Sequence, residues 1–205
     1  MSGWSLQFLI DSCPGQAASL DDSIEFKRVC TDTRKIEPGD LFVALKGHNF
    51  NGNKFAAQAI EMGAVAAVVD EPVQGLPSLW VEDARKAFGQ LAAAHRRQFD
   101  LPIFGVAGSN GKTSTKEMLA SILSEKFRTI YSEASFNNDV GLPATLLRIC
   151  YQDQAAVLEL GTNHPGELAP LIQMSTPRYG LLTGIGREHL EFFANLEGVA
   201  KEEGM

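Results

Sequence analysis

The residues best placed to do chemistry lie in one stretch, residues 104–115, which reads FGVAGSNGKTST and continues an apolar run beginning at Leu101. A Gly-rich turn ending in Gly111-Lys112-Thr113, between an apolar strand and a helical pattern, is what a phosphate cradle requires. Backbone N–H groups must approach the anion's oxygens without side chains in the way. Gly108 and Gly111 admit positive φ and close approach, Ser109, Asn110 and Ser114 complete the cradle, and Lys112 reaches the terminal phosphates as a point charge. The Thr113 hydroxyl is placed to ligate Mg²⁺, and the helix starting there points its positive end at the anion. A nucleoside triphosphate is the expected ligand. The general pattern puts its first glycine five residues before the second; that position is Val106, with Gly105 and Gly108 on either side.

Other polar groups sit at the ends of apolar runs. Glu159 ends the run AAVLE, and a carboxylate at the C-terminal end of a buried strand opposite a phosphate loop is where a Mg²⁺ ligand is expected in a doubly wound sheet. An ordinary core-edge acid is the alternative. Asn137 and Asn138, in SFNNDVGLP, are turn formers that a functional loop can also use. His189 follows a strand end on the same sheet edge as the phosphates, as a structural residue or as a ligand. In the first half, TDTRKIEPGDLFVALKGHNFNGN places Thr31, Asp32, Thr33 and Arg34 before an apolar strand and Lys46, Gly47, His48 and Asn49 after it. Strand-end loops commonly carry binding groups, although Thr31 to Arg34 suit plain loop chemistry equally well.

The elements that must position these residues alternate between strand and helix. Strands are predicted over residues 41–45, 64–69 and 79–81, with helices over residues 55–62 and from a cap at Asp83 to about residue 99. After the phosphate strand, Met118, Leu119, Ile122 and Leu123 predict a helix packed on the sheet. Further strands are expected over residues 128–131, 155–160 and 179–183, and helices over residues 165–174 and 196–205. A short helix is expected within residues 1–12. The fold class is α/β: a small N-terminal α/β substrate domain (residues 1–99), then a P-loop-type, mostly parallel sheet with flanking helices (residues 100–205).

Composition narrows the partners. With 205 residues and 44% hydrophobic content the chain can build one large or two modest cores. The net charge of −7 argues against a nucleic-acid-binding surface while leaving room for a local phosphate pocket. Cys13, Cys30 and Cys150 are widely spaced and contain no CxxC pair, which suits a reducing cytosol better than a disulfide framework. The N-terminus carries no basic leader, and no apolar run approaches the roughly 20 residues of a membrane helix, so no membrane insertion is expected.

Several stretches, TDTRKIEPGDLFVALKG, GSNGKTSTKEM, NNDVGLP, ELGTNHPGEL and HLEFFANLEGVAK, resemble the Mur ligases, ATP-dependent amide-forming enzymes of bacterial peptidoglycan synthesis. The shifted glycine of the loop is this family's own form of it. ELGTNHPGEL resembles the member that joins D-alanyl-D-alanine to UDP-N-acetylmuramoyl-tripeptide; the sister ligase adding the third amino acid is expected to lack it. The resemblance implies that the first domain holds the uridine nucleotide of the substrate and the central domain ATP. A third domain brings the amino component, so the chain resembles an N-terminal fragment whose central domain is incomplete. ATP would phosphorylate the substrate carboxylate to an acyl phosphate, which the amine then attacks, with Lys112 and Mg²⁺ neutralising the transferring phosphoryl group. Thr113 and Glu159 would hold one Mg²⁺, and His189 matches the position that helps hold a second. Alternatives are another Mur ligase adding a single amino acid, or a P-loop NTPase or kinase without amide chemistry.

One position departs from the family. Mur ligases commonly carbamylate a lysine after the HL motif, and fourteen residues on from His189 lies Glu203. A misregister of two selects Lys201 instead. Glu203 carries its negative charge without bound CO₂, on a shorter side chain.

Overall fold

Uninterrupted apolar runs become buried parallel strands in both halves of the chain. The computed structural model describes residues 3–47, 49–187 and 190–205. By its internal packing the chain divides into two units, Met1–Ala94 and His95–Met205.

The first unit opens with β1 (Trp4–Ser5) and α1 (Leu6–Ser12), which starts where the Ser5 hydroxyl accepts a hydrogen bond from the Phe8 amide at 3.2 Å. Next come β2 (Gln16–Ala18), β3 (Glu25–Phe26), β4 (Arg28–Cys30), β5 (Asp40–Val43) and the hairpin strands β6 (Lys46–Gly47) and β7 (Phe50–Asn51). Helix α2 (Ala56–Glu61), β8 (Ala66–Val69), β9 (Ser78–Trp80) and α3 (Ala84–Arg96) follow. The main sheet has the order β2-β9-β8-β5-β4; β4, β5, β8 and β9 run parallel, and β2 closes one edge antiparallel to β9. Every residue of β5 and β8 is buried, as expected for strands covered on both faces. Phe42, Ala44, Ala67 and Val69 meet Ala56 and Ala59 of α2 in the core. At the start of α3 the Asp83 carboxylate accepts from the amides of Arg85 and Lys86 at 2.9 and 3.0 Å. All four parallel strands point their C-terminal ends to one edge, where residues 31–34, 46–47 and 70–71 follow them.

The second unit contains β10 (Ile103–Ala107), α4 (Lys112–Ser124), β11 (Thr129–Tyr131), α5 (Gly141–Leu146), β12 (Ala155–Glu159), α6 (Leu168–Ser175), β13 (Tyr179–Leu182), α7 (Leu190–Phe193) and α8 (Leu196–Glu203). Its sheet is parallel throughout, in the order β11-β12-β10-β13. The chain leaves β10 for β11 and β12 on one side and returns to β13 on the other. The order therefore reverses beside β10, the kind of switch point at which doubly wound sheets bind ligands beyond the carboxyl ends of their strands.

Helix α4 differs from its sequence reading. Leu119 and Leu123 pack with Val106, Ala120 and Val157 as expected, but Met118 and Ile122 are 60% and 68% exposed. The inward row holds Lys116 and Ala120 instead. Adjacent rows on a helix look alike by apolar spacing, and a lysine ordinarily marks the outside. Here its ammonium finds carbonyl partners indoors, so the helix is rotated from the face that hydrophobicity alone selects. Helix α6 also begins at Leu168 rather than residue 165, because residues 162–167 form a hydrogen-bonded loop.

Candidate nucleotide site

Between β10 and α4 the backbone turns twice through the left-handed region, at Gly108 (φ 115°) and Gly111 (φ 82°). A Cβ at Gly108 would lie 2.5 Å from the Thr183 hydroxyl oxygen and 2.9 Å from the Gly184 carbonyl, so both conformation and space demand glycine there. The segment after β13 braces the loop. The Ser109 amide donates to the Gly184 carbonyl at 2.9 Å, and the Ser109 hydroxyl oxygen accepts from the Gly186 amide at 2.8 Å. Lys112 donates from Nζ to the carbonyls of Gly108 (2.5 Å) and Ser109 (3.3 Å), which lays its ammonium along the loop. Asn110, Thr113 and Ser114 are exposed at the mouth.

Glu159, at the carboxyl end of β12, is 1% exposed. One carboxylate oxygen accepts from the Thr113 hydroxyl at 2.9 Å and the other from the Asn137 amide at 2.9 Å. The Glu159 backbone amide donates to the Ser132 hydroxyl at 3.2 Å, and the Gly161 amide to the Asn137 carbonyl at 2.9 Å. Thus residues far apart in sequence, Thr113, Asn137 and Glu159, form one hydrogen-bonded unit beside the phosphate loop. Gly161 is required by this packing, because a Cβ there would lie 2.6 Å from the Asn137 side chain. The neighbouring Asn138 turns the other way. Its side-chain oxygen accepts from the amides of Val140 and Gly141 at 3.1 and 2.9 Å, which holds the entry to α5.

Helix α8 reaches the loop from the other side. Glu203 Oε2 accepts from the Gly108 amide at 2.6 Å, with the side chain buried. Glu202, also buried, accepts from the amides of Gly166 (2.9 Å) and Leu168 (2.9 Å). Consecutive helical residues point about 100° apart, so one turn of α8 pins two separate loops. Lys201 is exposed. His189 lies outside the described residues.

In the first unit, the Asp32 carboxylate accepts from the Arg34 amide (3.1 Å) and from its guanidinium (2.9 and 2.7 Å), closing the turn around Thr33. The Arg34 guanidinium draws the Asp32 carboxyl down to about 2. Thr31 and Thr33 are half-buried beside this turn. Lys46 bridges Asp70 (2.9 Å) and Glu71 (3.0 Å), and hydrogen bonds to those carboxylates raise its pKa. Gly47 and Asn49 are exposed at the tip of the β6–β7 hairpin; His48 lies outside the described residues. Asp70, Glu71, Asn51 and Asn53 complete this network and were not singled out by sequence. The asparagines lie just beyond the Lys46-Gly47-His48-Asn49 run, which is the signal that would have found them. Lys116, Ser132 and Glu202 were also missed. Of these only Lys116 left a trace, as a cation in a helical apolar pattern four residues after Lys112.

Comparison with known proteins decides the family. The Mur ligase family catalytic-domain profile matches residues 25–96, and the Mur ligase middle-domain profile matches residues 106–204. The chain belongs to the Mur ligase family. This Mur ligase chain is 45% identical to UDP-N-acetylmuramoyl-tripeptide–D-alanyl-D-alanine ligase of Escherichia coli (strain K12), over 98% of its own length and 44% of that protein. Its fold is similar to MurF from Acinetobacter baumannii, with TM-score 0.94 and 37% identity over 99% of this chain and 46% of that one. It is also similar to MurF ligase from Thermotoga maritima in complex with ADP, with TM-score 0.81 and 31% identity over 86% of this chain and 42% of that one. The chain thus spans less than half the length of these relatives. No helix among the described residues is long and apolar enough to cross a membrane.

Proposed function

We propose that the chain is the UDP-substrate-binding and ATP-binding part of a cytoplasmic ligase that adds D-alanyl-D-alanine to UDP-N-acetylmuramoyl-tripeptide in peptidoglycan synthesis. The observation that carries this reading is the Thr113–Glu159 pair, 2.9 Å apart beside the phosphate loop, in a chain 45% identical to a ligase of that name. A hydroxyl and a carboxylate are hard oxygen donors, and Mg²⁺ is typically held by one or two carboxylates together with substrate phosphates, so this donor set fits the metal. Bound there, Mg²⁺ would neutralise charge on the transferring phosphoryl group.

The chain's own residues do the rest. Loop amides from Asn110 to Thr113 bind the phosphates, Gly108 allows the close approach, Ser109, Asn110 and Ser114 line the cradle, and Lys112 lends its charge to the terminal phosphoryl group as it moves to the substrate carboxylate. Asn137 fixes one oxygen of Glu159 and leaves the other to face Thr113; Asn138 shapes the loop beside it. Residues 1–99 would hold the uridine nucleotide through the loops carrying Thr31 to Arg34 and Lys46 to Asn49, and residues 100–205 would hold ATP. Product analysis of the full-length protein tests the assignment. A ligase yields ADP, phosphate and an amide only when tripeptide substrate and D-alanyl-D-alanine are both present, whereas an NTPase or kinase releases ADP without the amide.

The first unit offers its own check. Expressed alone, residues 1–98 are expected to fold and to bind UDP-N-acetylmuramoyl peptides in preference to ATP, measured by calorimetry. A folded segment without that preference would reassign the loops at residues 31–34 and 46–49.

Glu203 stands where the family commonly carbamylates a lysine, and its buried carboxylate meets the phosphate loop while Lys201 faces solvent. On this reading Glu203 would supply the negative charge for a second Mg²⁺ directly, and His189 would be its other ligand. Activity of the full-length enzyme is expected to survive CO₂ depletion. Glu203→Gln should raise the Mg²⁺ requirement and Lys201→Ala should not. Activity lost on CO₂ removal and restored by bicarbonate would return the role to Lys201.

A further inference from the structure

Lys116 is a fully buried charge that phosphate binding does not use. Its side chain is 0% exposed, on the inward row of α4 one turn beyond Lys112. An ammonium has three protons, and three oxygens lie within reach: the carbonyls of Ser132 (2.8 Å) and Ala134 (2.7 Å) and the Glu117 carboxylate (2.9 Å). A carboxylate oxygen of Glu159 lies 3.9 Å away. Burying a lysine costs several kcal/mol of lost hydration, and an apolar side chain of that volume would pack without the cost.

We propose that Lys116 is a positioning residue for the metal–nucleotide site, clamping the segment from Ser132 to Asn137 against α4 so that this segment holds Glu159 toward Thr113. Both ends of that segment touch Glu159: the Ser132 hydroxyl accepts from its backbone amide at 3.2 Å, and the Asn137 side chain donates to its carboxylate at 2.9 Å. Between them Ala134 adopts φ 45°, a left-handed turn that an L-residue keeps only when held, and the bond from Lys116 to its carbonyl holds it. The ammonium would also repel a metal ion at Glu159, which opposes this role. Glu117 offsets that repulsion, because its carboxylate lies 2.9 Å from the same nitrogen. The clamp is therefore the larger effect.

The inference rests on the proposed Mg²⁺–nucleotide reading, and one calorimetric experiment separates the two. ADP is titrated into the chain with EDTA and then with Mg²⁺, and the ratio of the two affinities gives the metal-linked tightening. The variant Lys116→Met with Glu117→Gln removes one charge of each sign, so it changes the clamp without changing the net charge. Its metal-linked tightening is expected to fall about 10- to 100-fold, the usual loss for a residue behind a metal ligand, while its affinity in EDTA stays within about threefold of the unaltered chain. Glu117→Gln alone uncovers the ammonium's repulsion of the metal and should lower the ratio, but by less than the double variant. If the double variant does not melt cooperatively, Lys116→Gln with Glu117→Gln, which keeps N–H donors on a shorter side chain at the same net charge, is measured instead, with a smaller fall in the same direction expected. A folded variant with unchanged or stronger tightening, or one that weakens equally with and without metal, overturns the positioning role. Absence of any tightening in the unaltered chain overturns the Mg²⁺–nucleotide reading itself and this inference with it.

Discussion

Lys112→Ala in the full-length enzyme is expected to lower kcat for ADP formation by at least about 10²- to 10³-fold, the loss typical of removing one preorganised charge or donor from a developing anion. The cost in stability should stay within about 1 kcal/mol. The side chain is half-buried, and its hydrogen bonds include two to carbonyls of its own loop, at Gly108 and Ser109. The effect should divide unequally between KM and kcat. Loop amides still bind ATP, so KM for ATP moves less than the rate, because the lysine's charge counts most as the phosphoryl group transfers. Steady-state kinetics with a thermal melt alongside makes the check. Near-normal turnover by a folded variant would remove Lys112 from the mechanism and weaken the assignment of the loop as the ATP site.

Glu159 is the second position where a large effect is expected, and two substitutions separate its roles. Glu159→Gln keeps the shape but removes the charge that would meet Mg²⁺. Its activity should fall by about 10²-fold at ordinary Mg²⁺ and recover partly as Mg²⁺ is raised, since a weakened ligand set can be refilled by mass action. Glu159→Ala goes further. It leaves the Asn137 amide without its partner in a site where the carboxylate is 1% exposed, and should destabilise the fold by about 1–3 kcal/mol as well as abolish activity. Chemical denaturation and the Mg²⁺ dependence of kcat/KM read the two effects independently. If Glu159→Gln retained full activity with an unchanged Mg²⁺ requirement, the carboxylate would be a structural acid of the core edge.

What the sequence by itself determined is the part of this protein whose physics is local. The glycine turn between β10 and α4 was legible because its residues act within a few positions of one another: the chain must pass from strand to helix through positive φ at Gly108 and Gly111, and few residue types allow that. The buried strands were legible for the same reason, since residues 41–45 and 64–69 are uninterrupted apolar runs bounded by turns. The N-cap at Asp83 needed only its own helix. What only the tertiary structure decided was which distant groups meet. Nothing in the order of residues 113, 137 and 159 says that they join, because the contact exists only once β10 and β12 pair and the loop after β11 folds over them. Asn137 and Asn138 are chemically identical neighbours, and one reaches Glu159 while the other caps a helix entry. Lys116 was read past because hydrophobicity assigns a lysine to the surface, whereas carbonyls from another element satisfied it inside and turned α4 with it. Glu203 differs from Lys201 only by the roughly 200° that two helical residues subtend, and that rotation directs one to the phosphate loop and the other to solvent.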